Sequence, residues 1–322
     1  MSKEPTLIIA NPRAGAGRAG RGLADIEAAV RARFGPAETR LSDGPGGVEA
    51  LVREAVGEGV ETVVAVGGDG TVNEAVNGLL EPAGGGLADP RPGFVFLPAG
   101  TGGDYARSIG TAGLGPAEII AEAASRCIDL GRVTVAGADG LAVTRLFANI
   151  LSAGSSAHIA ASVNRASKRL GGRAAFAWGT LRGLASWRNR VLRVTVDGEV
   201  VAEEELSAVI VAIGRSFGGG MRIAPGAILD DGLFDVVLMR AVGPLRFLTQ
   251  GRRAYRGTHL ELPEFAVFQG RRVEVECVDD RAPVPVETDG EHPGLLPIAA
   301  EILPGALRLL APWHCAPGID RS

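Results

Sequence analysis

Over residues 5–130, short apolar runs alternate with longer stretches whose apolar residues recur at helical spacing, the pattern of βα units around a mostly parallel sheet. Thr6–Ala10 reads as a first strand, and Leu23, Ile26, Val30 and Phe34 mark one face of a helix over Gly22–Arg33. A second strand near Glu38–Leu41 leads through Ser42-Asp43-Gly44-Pro45 to a helix over Val48–Gly57. Thr62–Val66 is β-branched and apolar, hence a buried strand, and Phe94–Leu97 is the next. Beyond about Asp129-Leu130-Gly131 the period changes to two. Val191–Val196, Ser207–Ile213, Phe234–Met239 and Val273–Cys277 alternate between Gly and Pro turns, which predicts antiparallel strands. The pattern thus predicts an α/β unit over residues 1–131 and a β-rich unit over 132–322, with the apolar segment 306–312 a candidate to return to the first sheet.

A length of 322 residues agrees with two cores. Apolar residues make up 46% and charged residues 22%, a balance that excludes a disordered chain. The net charge of −4 argues against a dedicated nucleic-acid binder. Cys127, Cys277 and Cys315 stand far apart, and His158, His259, His292 and His314 have no metal-ligand spacing, so neither a zinc site nor a disulfide framework is indicated. The N-terminal apolar run is too short for a signal peptide, and no run approaches the ~20 residues of a spanning helix. A cytoplasmic protein is expected, with any membrane contact peripheral at the inner face.

Three glycine-rich turns follow predicted strands. The most informative is Gly67-Gly68-Asp69-Gly70-Thr71, between a buried strand and the helical pattern Val72, Ala75, Val76, Leu79. Glycines there let the backbone approach phosphate oxygens, and free N–H groups at a helix start favour an anion. Asp69 repels phosphate unless Mg²⁺ lies between them. Thr71 offers its hydroxyl to a phosphate or caps the helix. The first turn, Gly15-Ala16-Gly17-Arg18-Ala19-Gly20, matches GxGxxG, but four residues separate it from the strand. A glycine-rich loop over nucleotide fits better than a dinucleotide fingerprint. The third is Pro98-Ala99-Gly100-Thr101-Gly102-Gly103-Asp104. All three fall at strand ends on one sheet edge, where open α/β sheets bind ligands.

Asp289-Gly290-Glu291 places two carboxylates on a tight turn, able to serve Mg²⁺ and to accept a hydroxyl proton, although by spacing alone it is also an ordinary hairpin turn. Asp230-Asp231-Gly232 has the same two readings. Residues 165–193 carry eight basic residues and no acidic one, with Trp178 and Trp187 among them. That stretch is either a solvated helical face or an interfacial segment.

NPRAGAGR, GGDGTVNEAVNGL and LPAGTGGDYAR, in this order, resemble the diacylglycerol kinase catalytic family, which includes bacterial lipid kinases and sphingosine and ceramide kinases. The likeness continues through Ile128-Asp129-Leu130-Gly131, Leu229-Asp230-Asp231-Gly232-Leu233-Phe234-Asp235 and Glu287-Thr288-Asp289-Gly290-Glu291. It implies a three-layer NAD kinase-like nucleotide-binding unit followed by a β-sandwich, and an ATP- and Mg²⁺-dependent lipid kinase of phospholipid metabolism whose acceptor is diacylglycerol-like. It implies ATP contacts at Asn11, Pro12, Arg13, Ala14, Gly15, Ser42, Gly67, Gly68, Asp69, Gly70, Thr71, Val72, Asn73 and Thr101. It further implies a structural Mg²⁺ on Asp231 with the main-chain oxygens of Ile228 and Leu233. Glu291 matches the proton acceptor and Asp289 its acidic partner, while Asp69, Asp104, Arg107 and Asp129 match a charged network linking the units. Gly103 departs from the asparagine usual there. An NAD kinase-like enzyme and a catalytically silent nucleotide-binding regulator are the alternatives, and homodimer formation stays open.

Overall fold

The structure is a computed structural model, describing residues 6–12, 22–79, 87, 91–99, 103–137, 139–165, 187–279 and 282–313. Arg13–Gly15, Thr101 and most of the basic segment 165–193 lie outside the described residues.

Four parallel strands form the first sheet: β1 (Thr6–Ala10), β2 (Ala37–Leu41), β3 (Thr62–Gly67) and β4 (Gly93–Pro98), in the order β4-β3-β1-β2. Alternate strand residues face opposite ways, so each strand feeds two cores. Ile8, Ala10, Val64, Val66, Val95 and Leu97 pack with Ile26, Val30, Ile119 and Ile120 from α1 (Leu23–Phe34) and α5 (Pro116–Ala121). Leu7, Ile9, Val63, Ala65 and Phe96 pack the other way, against Val48, Val52, Val72 and Val76 of α2 (Gly47–Gly57) and α3 (Asp69–Asn77). This is a helix-sheet-helix sandwich in which β1, β3 and β4 are covered on both faces while edge strand β2 is partly exposed, which is why β1 and β3 read as unbroken apolar runs. The short helix α4 (Asp104–Ser108) follows β4.

The β-rich part holds β5 (Ala124–Ala136), β6 (Ala142–Phe147), β7 (Ile150–Gly154), β8 (Arg190–Val196), β9 (Glu199–Ala212), β10 (Phe234–Arg240), β11 (Phe265–Gly270), β12 (Arg272–Cys277), β13 (Pro285–Thr288) and β14 (Glu291–Ala311). Among the described residues its α-helices are α6 (Ser155–Arg165) and α7 (Pro244–Arg256). Hydrogen bonding runs round a closed circuit, β14-β12-β8-β9-β7-β13 and back to β14. β5 and β14 pair antiparallel along most of their length and tie the two parts together. Leu309 near the end of β14 pairs with Phe94 of β4, so the last strand lies beside the first sheet. The same strand begins at Glu291, beside the glycine turn described next.

Candidate active site

The turn at Gly67 to Thr71 is held by its own backbone. Helix α3 starts at Asp69 with Gly68 as N-cap, and the N–H groups of Thr71 and Val72 donate to Gly68 O at 2.9 and 3.2 Å. Thr71 therefore stands inside the first turn and is not its cap, which removes one of the two readings open to it. Its buried side chain lies where a Gly67 Cβ would be: such an atom would sit 2.1 Å from Thr71 Oγ1. Only glycine leaves room for Thr71 there. Asn73, also buried, points its amide toward Leu146 O and Thr288 O, linking the helix to the β-rich part.

Asp69 accepts the main-chain N–H groups of Asp104 and Tyr105 at 3.3 and 3.2 Å, which clamps the second glycine turn to the third. Asp104 in turn accepts N–H from Gly219 and Gly220 at 2.8 and 2.7 Å and pairs with Arg107 at 3.0 Å. Burial and the nearby Asp69 charge raise the Asp104 pKa against those donors. Gly103 adopts φ 63°, in the left-handed region. Asparagine and glycine are the residue types that most readily occupy that region, so the departure at 103 preserves backbone geometry. Arg33 and the other basic residues of α1 lie elsewhere, as Arg33 donates to Ala123 O.

The Asp289-Gly290 turn joins β13 to β14 with φ of 48° and 94°, as a tight hairpin requires. The hairpin reading of this motif holds, with Asp289 buried and Gly290 and Glu291 exposed. Asp289 is buried and its carboxylate accepts three consecutive N–H groups, Ala148 at 2.8 Å, Asn149 at 3.1 Å and Ile150 at 2.9 Å. Burial pushes its pKa up to about 6, with those donors holding it down. Two residues earlier, buried Glu287 accepts Ser152 Oγ at 2.6 Å and the Gly290 N–H, and burial raises its pKa to about 7. Two anchored carboxyls thus fix the turn from beneath. Glu291, exposed at its edge, reaches back across the gap: a Cβ on Gly70 would lie 3.1 Å from Glu291 Oε1.

Ser42 directly follows β2. Its N–H donates to Ala10 O, and its buried hydroxyl has no hydrogen-bond partner among the described residues. Asn11 donates its N–H to Val66 O, at the same strand ends. Asp129 is drawn elsewhere: it accepts N–H from Gly232 and Gly305, both at 2.8 Å, beside Asp230 and Asp231. Asp231 is exposed and accepts the Leu233 N–H at 3.0 Å, while Asp230 pairs with Arg126. The structure accordingly gathers Asp69, Asp104, Asp289 and Glu291 at one place and Asp129, Asp231, Ile228 and Leu233 at another. Glu287 stood in a recognised motif with no role assigned to it, and Ser152 was not singled out; the amides of residues 148–150 and 219–220 were invisible in the sequence, since main-chain donors leave no residue signature.

Residues 5–133 match the family model of the diacylglycerol kinase catalytic domain, and residues 149–311 match the YegS C-terminal NAD kinase beta sandwich-like domain. A probable YegS-like lipid kinase of Xanthomonas axonopodis pv. citri is 30% identical over 300 residues, covering 91% of this chain and 92% of its own. The chain belongs to the diacylglycerol kinase family. A diacylglycerol kinase of Bacillus subtilis is 27% identical over 293 residues, 90% of each chain. A solved diacylglycerol kinase structure from Bacillus anthracis superposes with TM-score 0.69 at 22% identity, covering 97% of this chain and 98% of that one. Yeast NADH kinase, complexed with NADH, shares the fold at TM-score 0.51 and 10% identity, covering 95% and 82%. The sequence resemblance is thereby established across both halves, and the chain is a lipid kinase by family, with an NAD kinase-like fold.

Proposed function

We propose that this kinase transfers the γ-phosphate of ATP to the hydroxyl of a diacylglycerol-like lipid, with Glu291 accepting the hydroxyl proton. The approach of Glu291 Oε1 to Gly70 carries the reading, because it puts a carboxylate within reach of whatever the glycine turn cradles. Asp289 and Glu287 position that carboxylate through the turn they anchor. Asn11, Pro12, Ser42 and Gly67 through Asn73 contact the nucleotide on this reading, and the family resemblance alone assigns the same role to Arg13 to Gly15 and Thr101, which lie outside the described residues. The partnerless Ser42 hydroxyl is a ready donor to it.

Mg²⁺ bound with the nucleotide would neutralise phosphate charge as it shifts to the leaving group. Among the described residues no three Asp, Glu, His or Cys groups converge on a metal position, yet Mg²⁺ carried on phosphates asks for only one or two carboxylates. Asp69, fixed by two amides at the helix start, fits that demand. An exposed Asp231 with the carbonyls of Ile228 and Leu233 would hold a second, structural Mg²⁺. Asp104 and Arg107 join the two parts of the chain at the cleft, and Asp129 holds the Asp231 turn.

The test is a labelled-ATP assay over diacylglycerol, phosphatidylglycerol, a sphingoid base, an isoprenoid alcohol and NAD. Label is expected in diacylglycerol or a close relative. Label in NAD alone would replace this reading with a dinucleotide kinase, and ATP binding without turnover would leave a regulator.

A further inference from the structure

We propose that the exposed face of α7, together with Arg222, is the surface with which the protein rests on an anionic phospholipid bilayer. The proposal builds on the lipid-kinase reading, since only a lipid acceptor gives the active site a reason to meet a membrane.

The helix has the sequence PLRFLTQGRRAYR, with four arginines and no acidic residue, in a chain whose net charge is −4. Arg246, Arg252, Arg253 and Arg256 are all exposed, and so is Tyr255, at 50%. Basic residues in a last helical turn also complement the helix dipole, which accounts for Arg253 and Arg256. It does not account for Arg252, for the exposed aromatic ring, or for Arg222. Arg246 pairs with Glu264, and Arg253 stands 3.8 Å from Glu261. Arg252 and Arg256, one turn apart, have no ion pair among the described residues. Arg222 lies alongside, exposed, its N–H donating to Ala254 O at 2.9 Å. Its charge reaches Arg215 as well and lowers that guanidinium's pKa, after burial. A cluster of like charges held together, with a Tyr ring among them, matches an anionic headgroup layer better than it matches its own protein.

The placement supplies the second argument. Gly219 and Gly220 donate to Asp104 at the active site, and two residues later Arg222 bonds α7. Consecutive Cα atoms are about 3.8 Å apart, so Arg222 stands within roughly 8 Å of Gly220, and its 2.9 Å bond to Ala254 O seats the helix's last turn beside it. A bilayer against this face therefore comes level with the cleft where a lipid hydroxyl has to enter.

The test is sedimentation of the full chain with vesicles of phosphatidylcholine alone and of phosphatidylcholine with one quarter phosphatidylglycerol. Each cation at an anionic surface contributes on the order of fivefold in partitioning. Arg222→Glu, Arg252→Glu and Arg256→Glu together are expected to weaken binding to the anionic vesicles by more than about 100-fold, and about 0.5 M salt to do much the same. Arg31→Glu, on α1 far from this face, is expected to change it little. The single Arg252→Gln and Arg256→Gln variants give a graded loss if the triple variant fails to fold. Anionic-vesicle binding that survives the three reversals, or wild-type binding no stronger than to neutral vesicles, overturns the proposal. Phosphorylation of a detergent-dispersed lipid separates the two ideas: the triple variant retains it if the helix only docks, whereas a wild type that phosphorylates no lipid defeats the kinase reading itself.

Discussion

Replacing Gly70 by alanine probes the active site at one methyl group. The added Cβ would stand 3.1 Å from Glu291 Oε1, tighter than an ordinary van der Waals contact, so the carboxylate has to give way by a few tenths of an ångström or swing to another rotamer. Either response is cheap for the fold, because the atom displaced is the free end of an exposed side chain. Gly70 is the second residue of α3, where alanine is favoured over glycine by up to about 1 kcal/mol. Stability is therefore expected to hold or rise slightly. Turnover is expected to fall, since a misplacement of ~1 Å in a reacting group costs on the order of 100-fold, and a smaller shift about 10-fold. Thermal unfolding and steady-state kinetics against ATP and the lipid acceptor, run on the same preparation, separate the two effects. A variant with unchanged kcat and a wild-type melting temperature would refute the placement of Glu291 as a working group beside this turn.

Glu287→Gln is expected to flatten the pH dependence of stability. With its folded pKa raised from 4.5 to about 7, the buried acid favours the fold below about pH 4.5 and loses that advantage as pH rises through 7. The loss amounts to roughly 3 kcal/mol, read as a difference in urea unfolding between pH 4.5 and 8 that the glutamine lacks. Asp129→Ala strands two main-chain donors, buried Gly232 and half-buried Gly305, and is expected to destabilise by about 2–4 kcal/mol in the same assay; a change under about 1 kcal/mol would contradict the clamp. Gly103→Asn is expected to melt within a few degrees of wild type, because asparagine accepts the left-handed backbone and its Cβ meets only Arg107 Nη1, at 3.9 Å. A large loss of stability would show that glycine is needed there for space and not for φ.

The elements nearest the nucleotide turns were legible in the sequence for a physical reason: parallel strands covered on both faces must be apolar throughout. Thr6–Ala10 and Thr62–Val66 declare themselves, and the glycines after them mark where backbone has to approach something. The long strand β14 was not legible beyond its last apolar residues. Pro293, Gly294, Pro297, Pro304 and Gly305 interrupt its pattern, and the structure absorbs them as register shifts between Leu295 and Ile298 and between Leu303 and Leu307. Helix α7 was missed because its four arginines make Pro244–Arg256 hydrophilic on average, although its apolar residues do recur at helical spacing. In the site itself, acid-bearing turns could be read, whereas the distinction between anchored Asp289 and free-ended Glu291 depends on burial. No local pattern told that Asp289 would meet three amides from a strand pair some 140 positions away.

The central claim is that Glu291 does its work at the hydroxyl and not in holding the fold or the nucleotide. Glu291→Gln, isosteric and exposed, isolates that role. ATP binding by calorimetry and the melting temperature are expected to match wild type, while label transfer from ATP to the lipid acceptor falls by about 100-fold or more. Equal label transfer by wild type and variant would contradict the account.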